Sequence, residues 1–262
     1  MTASLKRTLG WITTPFFLIA FGLLLLVFDP LQRIALLFGK RPQEIAVGLL
    51  QSCLKEALRL CGATFALERD PAFLPRTGYV LVANHQSMLD IPILASFAFS
   101  NFPKYVAKRE LSRGIPSISF NLRHGGNAVI DRKNRDQAVP AIEALGRRAQ
   151  ARGVSVVIYP EGTRARNGEM GPFKPAGTLA LLAAAPALPV VPVTMDGSWK
   201  LVRHGMCPVP FGTRVRVRIG APIPRADGED GAALLARAEG DIRETIRRWR
   251  AAGSATAPTR SA

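Results

Sequence analysis

A histidine and an aspartate that could act together on a proton lie five positions apart, at His85 and Asp90. In an ideal helix such positions differ by about 140°, so the two side chains cannot share a helix face. Pro92 favours the first turn of a helix, which places Asp90 near the helix start and His85 in the preceding turn. A turn histidine can fold back on the carboxylate, which leaves its other ring nitrogen as a base for a hydroxyl proton. Spacing alone also permits a plain alternative, in which Asp90 only caps the helix.

A second polar cluster runs from Tyr159 to Arg164 and combines a glycine, a hydroxyl group and an arginine in one turn. Backbone N–H groups beside a guanidinium form a natural cradle for phosphate. The alternative is purely geometric, because a turn that ends a strand needs proline and glycine in any case. The cluster alone leaves both interpretations open.

The chain lacks the sequence motifs of several other kinds of functional site. The three cysteines and three histidines form neither a Cys-x-x-Cys nor a His-Glu-x-x-His pattern, so we predict no metal site and a reducing compartment. The sequence also contains no Gly-x-x-x-x-Gly-Lys-Ser/Thr loop for a nucleoside triphosphate and no Gly-x-Ser-x-Gly elbow for a serine nucleophile. We therefore expect a site that works without a bound cofactor.

Short apolar runs alternate with helical patterns from residue 71 onward, which is typical of an α/β domain. Continuous apolar runs predict strands buried on both faces at residues 79–83, 127–130, 154–159 and 190–194, with helices at 136–151 and 177–185. Both polar clusters directly follow such strands. Because ligands in open α/β sheets bind beyond the carboxyl ends of the strands, the clusters stand where a site is expected.

The carboxyl-terminal part of the chain predicts two more elements and a tail. Residues 213–219 alternate arginine with valine or isoleucine, and we interpret them as a solvated edge strand whose charges discourage aggregation. Apolar residues at helical spacing predict a final amphipathic helix over 234–250, and residues 251–262 predict a disordered tail.

The amino-terminal region has the composition of a membrane-seeking segment. Residues 8–28 contain no charged residue and reach the roughly 20 positions that a spanning helix needs, although Pro15 interrupts the run. Basic residues flank both ends, so the charge pattern gives no orientation and suits an anchor with both ends on the cytoplasmic side. A re-entrant helix is an alternative, whereas a cleaved signal peptide lacks its Ala-x-Ala site. Residues 45–61 predict an amphipathic helix against the membrane or the domain.

The charge balance predicts an anionic partner, because 35 Lys and Arg stand against 19 Asp and Glu, a net charge of +16. A non-enzymatic protein that binds nucleic acid is one class with such a charge. The sequence, however, lacks aromatic residues interleaved with basic ones and any nucleic-acid module. We therefore predict an anionic membrane surface and no nucleic acid, since basic residues near such a surface gain roughly 1 kcal/mol each.

The polar segments together resemble the glycerolipid acyltransferase family that includes 1-acylglycerol-3-phosphate acyltransferase. Residues 84–90 are similar to its Asn-His-x-x-x-x-Asp block, and residues 126–132, 160–164 and 190–193 to its second, third and fourth blocks. The resemblance implies an α/β fold: a glycerolipid acyltransferase-like domain over 63–250, with a mostly buried central sheet flanked by helices. A membrane-anchoring helical segment over 1–62 precedes it.

The resemblance also assigns roles to individual residues. It makes His85 the general base and Asp90 its orienting partner. The phosphate of the acyl acceptor is then bound by residues of the third block, with two basic residues adding charge: Glu161, Gly162, Thr163 and Arg164, and Lys108 and Arg132.

The implied reaction moves a fatty acyl group from an acyl-CoA or acyl-carrier-protein thioester to the free hydroxyl of 1-acylglycerol-3-phosphate (lysophosphatidate). The product is phosphatidate, an intermediate of phospholipid biosynthesis, and the transfer is direct, in one step. The alternative acceptor is another lyso-lipid, such as a lyso-ornithine lipid or a lysophospholipid. The implied location is the cytoplasmic membrane, with the active site facing the cytoplasm.

Overall fold

The computed structural model describes residues 1–131, 133–225 and 229–255, with the side chains of 253–255 left out. Arg132, which the resemblance adds to the phosphate site, lies outside the described residues, as do residues 256–262 of the predicted tail.

The core of the molecule is one sheet of seven strands, in the order β1-β7-β6-β2-β5-β3-β4. Strands β6, β2, β5, β3 and β4 are parallel to one another, whereas β7 is antiparallel to β6 and pairs in parallel with β1. In chain order the strands are β1 (Thr64–Arg69), β2 (Val80–Ala83), β3 (Lys104–Lys108), β4 (Ala128–Ile130), β5 (Val156–Ile158), β6 (Val190–Asp196) and β7 (Arg214–Ile219). The predicted α/β class is confirmed, and the four predicted apolar runs coincide with β2, β4, β5 and β6.

Eight α-helices surround this sheet within the described residues. They are α1 (Ala3–Leu37), α2 (Lys40–Ala57), α3 (Asp90–Phe97), α4 (Ile118–His124), α5 (Arg135–Arg152), α6 (Pro175–Ala184), α7 (Ser198–Leu201) and α8 (Gly231–Ala255). Short 3-10 turns occupy Leu58–Cys61, Phe99–Asn101 and Arg109–Ser112. The last helix continues to Ala255, so the first five residues of the predicted tail are helical.

Side chains of the central strands alternate between two hydrophobic cores, as the pleat of a strand requires. In β2, Leu81 and Ala83 join a core that also holds residues of α1 and α3, whereas Val80 and Val82 join a core with α5, α6 and α8. All four side chains are completely buried. The sheet is therefore the middle layer of three, which explains the continuous apolar runs of its strands.

Strand β7 is an interior strand, so the prediction of a solvated edge strand at 213–219 is wrong. It is hydrogen-bonded to β1 on one side and to β6 on the other. Two of the three arginines on its polar face are neutralised by nearby carboxylates: Arg216 lies 3.0 Å from Asp196, and Arg218 lies 2.5 Å from Asp241 of α8. Because Asp196 and Asp241 neutralise these arginines, the basic face of β7 can pack against α8.

The amino-terminal helix α1 runs unbroken through Pro15 over 35 residues, although the sequence predicted an interruption there. One face of α1 is buried against the rest of the protein, at Gly10, Thr14, Phe17, Leu25 and Gln32. The hydroxyl of Thr14 accepts a hydrogen bond from the Val209 N–H at 2.8 Å. The helix therefore lies along the domain, and α2 packs beside it.

Candidate active site

The first and third polar segments meet at one edge of the sheet because their strands are neighbours. Strand β2 lies between β6 and β5, and all three are parallel, so their carboxyl ends coincide. The side-chain amide of Asn84 binds both the N–H and the carbonyl of Met195, at 2.7 and 2.9 Å. This contact fixes the end of β2 to β6, directly before the histidine turn.

His85 lies in the turn after β2 and Asp90 is the first residue of α3, as the spacing predicted. The Nδ1 atom of His85 is 2.8 Å from Oδ2 of Asp90, and the two residues are only 6% and 0% exposed. With Asp90 ionised, Nδ1 carries the proton and Nε2 is the basic nitrogen. No residue that the structure describes forms a hydrogen bond with Nε2.

The carboxylate of Asp90 is surrounded by neutral hydrogen-bond donors. Its Oδ2 atom accepts the backbone N–H groups of Gln86 and Ser87 at 2.6 and 2.8 Å. Its Oδ1 atom accepts the hydroxyl of Ser198 at 2.5 Å and that of Ser87 at 3.3 Å. Asp90 therefore does more than cap a helix, since it also binds the turn that carries His85.

The imidazole ring of His85 is held on its face by Tyr159. The ring centroids are 4.1 Å apart and the planes differ by 20°, a stacked arrangement. Burial raises the pKa of the Tyr159 phenol well above its ordinary value. Its hydroxyl has no hydrogen-bond partner among residues 1–131, 133–225 and 229–255. The hydrogen bond to Asp90 and the stacked ring of Tyr159 together restrict rotation of the His85 side chain.

Glu161, predicted to contact the acceptor phosphate, is turned inward. Its Oε1 accepts the N–H of His85 at 2.7 Å, its Oε2 accepts the N–H of Gly171 at 2.9 Å, and the residue is 2% exposed. Burial raises the pKa of this carboxyl group. A buried carboxylate bound to two backbone donors is not available to a phosphate, which it would repel. Glu161 instead ties the third block to the histidine turn.

The other third-block residues are exposed near this turn. Gly162 has a φ of 67°, a left-handed conformation that favours glycine. Thr163 and Arg164 follow it at the surface, and Arg164 lines a groove together with Gln86, the neighbour of His85. The structure thus brings Arg164 close to the histidine turn.

Lys108 stands apart from the other predicted site residues. It ends β3, which is separated from β2 by β5, so the two strands are roughly 10 Å apart. Its ammonium lies 2.8 Å from the Glu110 carboxylate, and its side chain is half exposed. It is at the correct edge of the sheet but is not in the histidine turn.

Sequence reasoning missed three residues that contact the histidine turn: Asn84, Tyr159 and Ser198. Asn84 and Tyr159 stand inside the quoted segments, but no spacing rule gave them a role. Ser198 lies more than 100 positions from Asp90 along the chain, so only the pairing of β6 with β2 brings the two together.

A family model described as Acyltransferase matches residues 67–196, so this part of the chain is an acyltransferase-family domain.

Particular relatives are named 1-acyl-sn-glycerol-3-phosphate acyltransferase. The protein of that name from Pseudomonas aeruginosa is 32% identical over 176 residues, which cover 66% of this chain and 65% of the relative. The human beta form is 38% identical over 125 residues, 47% of this chain and 44% of the relative. The chloroplastic form from Brassica napus is 34% identical over 147 residues, 56% and 41% of the two chains. The aligned part thus spans about half the length of these relatives.

The fold is similar to that of the 1-acyl-sn-glycerophosphate (LPA) acyltransferase PlsC from Thermotoga maritima. The TM-score is 0.73 at 22% sequence identity, with 94% of this chain and 98% of that chain covered. The likeness includes the amino-terminal helices as well as the sheet, because so little of either chain is left out.

Proposed function

We propose that the protein transfers a fatty acyl group from a thioester to the free hydroxyl of 1-acylglycerol-3-phosphate. The observation that carries the proposal is the contact between His85 and Asp90, which leaves Nε2 of a buried imidazole as the basic nitrogen. The names of the relatives supply the acceptor. Acyl-CoA or acyl carrier protein supplies the thioester.

The reaction needs only one base. Nε2 of His85 takes the hydroxyl proton while the acceptor oxygen attacks the thioester carbonyl, so a C–O bond forms as the C–S bond breaks. The proton then passes from the imidazolium to the departing thiolate, and the base is restored. Asp90 stabilises the imidazolium while it exists. A positioned base of this kind contributes roughly 10²- to 10⁴-fold in rate.

The acceptor phosphate is bound on the exposed side of the third block. Gly162, Thr163 and Arg164 provide backbone donors, a hydroxyl and a guanidinium there, while Glu161 holds the block against His85. Lys108 adds positive charge at the same edge of the sheet, and the family resemblance adds Arg132, which lies outside the described residues.

The protein works at a membrane, which it contacts through α1. Within the described residues, α1 is the one helix long and apolar enough to cross a membrane. Five residues of α1 are buried against the domain, so lipid cannot surround this helix on all sides. The helix therefore enters the membrane with one face against the protein and the other against lipid. The exposed large apolar residues of α1 are Leu5, Trp11, Ile12, Phe16, Leu18, Ile19, Leu23, Leu26, Val27, Leu31, Ile34 and Leu37. We place the active site on the cytoplasmic side.

The test is an acyl-transfer assay with purified protein, one acyl-CoA donor and a panel of lyso-lipid acceptors. We expect wild-type activity to be highest with lysophosphatidate, and His85→Ala to abolish it while the protein still binds membranes. His204→Ala is the matched control, because that histidine is exposed and lies outside the site. Normal activity of His85→Ala would remove the mechanism. A preference for a lyso-ornithine lipid or a lysophospholipid would reassign the acceptor.

A further inference from the structure

The position of the Tyr159 ring follows from the pairing of β2 with β5. Val82 is paired with Ile158 in this parallel ladder, so Tyr159 lies one position beyond the pair, beside the turn that carries His85. Val157 belongs to the core that α1 and α3 share, and Tyr159 packs against the same core. Side chains two positions apart on a strand point to the same face. The sheet pairing therefore places the tyrosine ring against the imidazole.

Two sides of the His85 imidazole are in contact with the protein, and a third is the reacting edge. The Nδ1 edge lies 2.8 Å from Oδ2 of Asp90. One face lies on the ring of Tyr159, with the centroids 4.1 Å apart and the planes 20° apart. The remaining edge carries Nε2, which takes the proton of the acceptor hydroxyl in the proposed reaction. The tyrosine ring is thus in contact with the histidine while its positive charge exists.

An aromatic face attracts a positive charge because the π electrons make that face negative. A cation within about 6 Å of the ring centroid is stabilised, and the effect increases when water is excluded. His85 meets both conditions, since its ring lies 4.1 Å from that of Tyr159 and the residue is 6% exposed. A neutral imidazole has no net charge and gains less from the same contact. The stack should therefore favour the protonated ring over the neutral one.

The hydroxyl of Tyr159 has no part in this effect. It is buried, and no residue within the described ranges 1–131, 133–225 and 229–255 forms a hydrogen bond with it. Burial raises the pKa of the phenol well above its ordinary value, so the group keeps its proton. The part of the side chain that acts on His85 is the aromatic ring.

Other charged and titratable groups surround the two rings, and they come from several elements. They are Asp90 at the start of α3, Glu161 after β5, Tyr105 of β3, Asp196 at the end of β6 with its partners Arg216 and Arg250, and Arg164 in the groove beside Gln86. All of them remain when Tyr159 is replaced. A substitution at this position therefore isolates the contribution of the tyrosine ring.

We propose that Tyr159 is a positioning residue that acts through His85: its ring orients the imidazole and stabilises the imidazolium that forms during acyl transfer. This inference rests on the proposed function. In the step concerned, the O–H bond of the acceptor breaks and an Nε2–H bond forms, and the proton later passes to the departing thiolate. The tyrosine supplies neither an atom nor an electron. Asp90 stabilises the cation at its edge, and Tyr159 stabilises it at its face.

The experiment compares the pH dependence of kcat for the wild type, Tyr159→Leu and Tyr159→Phe, from about pH 5 to about pH 9. The acceptor is the lyso-lipid that the wild type acylates fastest. Tyr159→Leu removes the ring and makes the imidazolium less stable. The acid limb of the profile should therefore move about one unit to lower pH, and the plateau kcat should fall roughly threefold to tenfold. Tyr159→Phe keeps the ring and should restore both.

The chain contains a matched control in a second pair of a histidine and an aromatic residue. Phe120 and His124 of α4 have ring centroids 4.6 Å apart, outside the histidine turn. Phe120→Leu should leave the position of the acid limb unchanged. A smaller folded fraction of Tyr159→Leu would lower the rate by the same factor across the plateau and the limb. Movement of the limb therefore separates the proposed effect from a packing defect.

Three outcomes overturn the inference. If Tyr159→Leu keeps the wild-type limb, the ring does not stabilise the imidazolium, whatever happens to kcat. If Tyr159→Phe behaves like Tyr159→Leu, the hydroxyl and not the ring carries the effect. Both of these outcomes leave the proposed function standing. If the wild-type protein acylates no lyso-lipid of the panel, the proposed function fails and this inference fails with it.

Discussion

Two buried carboxylates in this protein are stabilised in opposite ways. Asp90 is surrounded by backbone N–H groups, hydroxyls and the imidazole of His85. Glu44 of α2, 4% exposed, is surrounded by cations instead. Lys104 and Arg152 each approach its Oε1 to 2.8 Å, and Arg41 approaches its Oε2 to 3.3 Å.

Under the proposed mechanism, Asp90 carries a working charge, one that acts in the reaction, whereas Glu44 carries a structural charge, one that stabilises the fold. Around Glu44, fixed cations join α2 to the start of β3 and the end of α5, and the negative charge is already neutralised. Around Asp90, no lysine or arginine in the described residues forms an ion pair, so the carboxylate can still stabilise a cation that exists only during reaction. Neutral donors thus hold a buried charge without cancelling it.

Removal of the working charge should have the largest effect. In Asp90→Asn the amide group can donate to Nδ1 of His85, which moves the ring proton to Nε2 and leaves no base at the acceptor. We expect kcat to fall by about 10⁴-fold, as in serine proteases with the same substitution. Circular dichroism should show an unchanged fold. Activity within tenfold of wild type would mean that Asp90 does not set the tautomer.

Removal of the structural charge should affect stability and leave chemistry intact. Glu44→Gln leaves Lys104, 6% exposed, without an anion, and loss of one partner of a buried pair costs about 3 to 5 kcal/mol. Urea unfolding measures this loss, with kcat as the second readout. Arg41→Gln is the control, because its half-exposed side chain contributes at most about 1 kcal/mol. A stable but inactive Glu44 variant would contradict the comparison.

The loss of folding stability in Glu44→Gln should also depend on pH. Burial already lowers the pKa of Lys104 from its usual 10.5, despite the opposing effect of Glu44. A lysine whose pKa is lower in the folded state destabilises the fold at neutral pH, and this destabilisation disappears as pH rises through the unfolded-state value. Loss of Glu44 lowers the pKa further. The stability difference from wild type should therefore be greatest near pH 7 and shrink towards pH 10, and a constant difference would exclude Lys104 as its source.

The smallest effect is expected at Ser198, which we interpret as a positioning residue because it acts through Asp90. Ser198→Ala removes one donor from Oδ1, which should lower kcat by roughly tenfold, or about 1.4 kcal/mol. The Ser198 hydroxyl fixes the orientation of the Asp90 carboxylate, so its loss allows the carboxylate and His85 to leave the reacting geometry. Ser198→Thr, which keeps the hydroxyl, should restore kcat. If Ser198→Thr is as slow as Ser198→Ala, the loss comes from packing and not from the hydroxyl.

The parallel strands and the histidine turn could be predicted because their signals are local. Strands β2, β5 and β6 are continuous apolar runs, and Pro92 marks the helix start after His85. Strand β3 could not be predicted in this way. It begins at Lys104, which is buried only because Glu44 approaches it from another element.

The same reason explains the error at β7 and the contacts of the site that the sequence did not predict. The arginines of β7 resemble a solvated face until Asp196 and Asp241 are known to lie against them. The inward orientation of Glu161 and the contact of Ser198 with Asp90 depend on which strands pair. Tertiary partners of polar groups cannot be read from spacing, whereas apolar periodicity can.

The hydrogen bond from the His85 N–H to Glu161 joins two parts of the chain that are far apart in sequence. The two residues are 76 positions apart, so their contact forms only after β2 and β5 have paired and the loop to Gly171 has closed. Contacts between distant positions form slowly because a long loop must first be ordered. A partly folded chain can therefore form the local contact between His85 and Asp90 but lacks the one that joins the third block to the histidine turn.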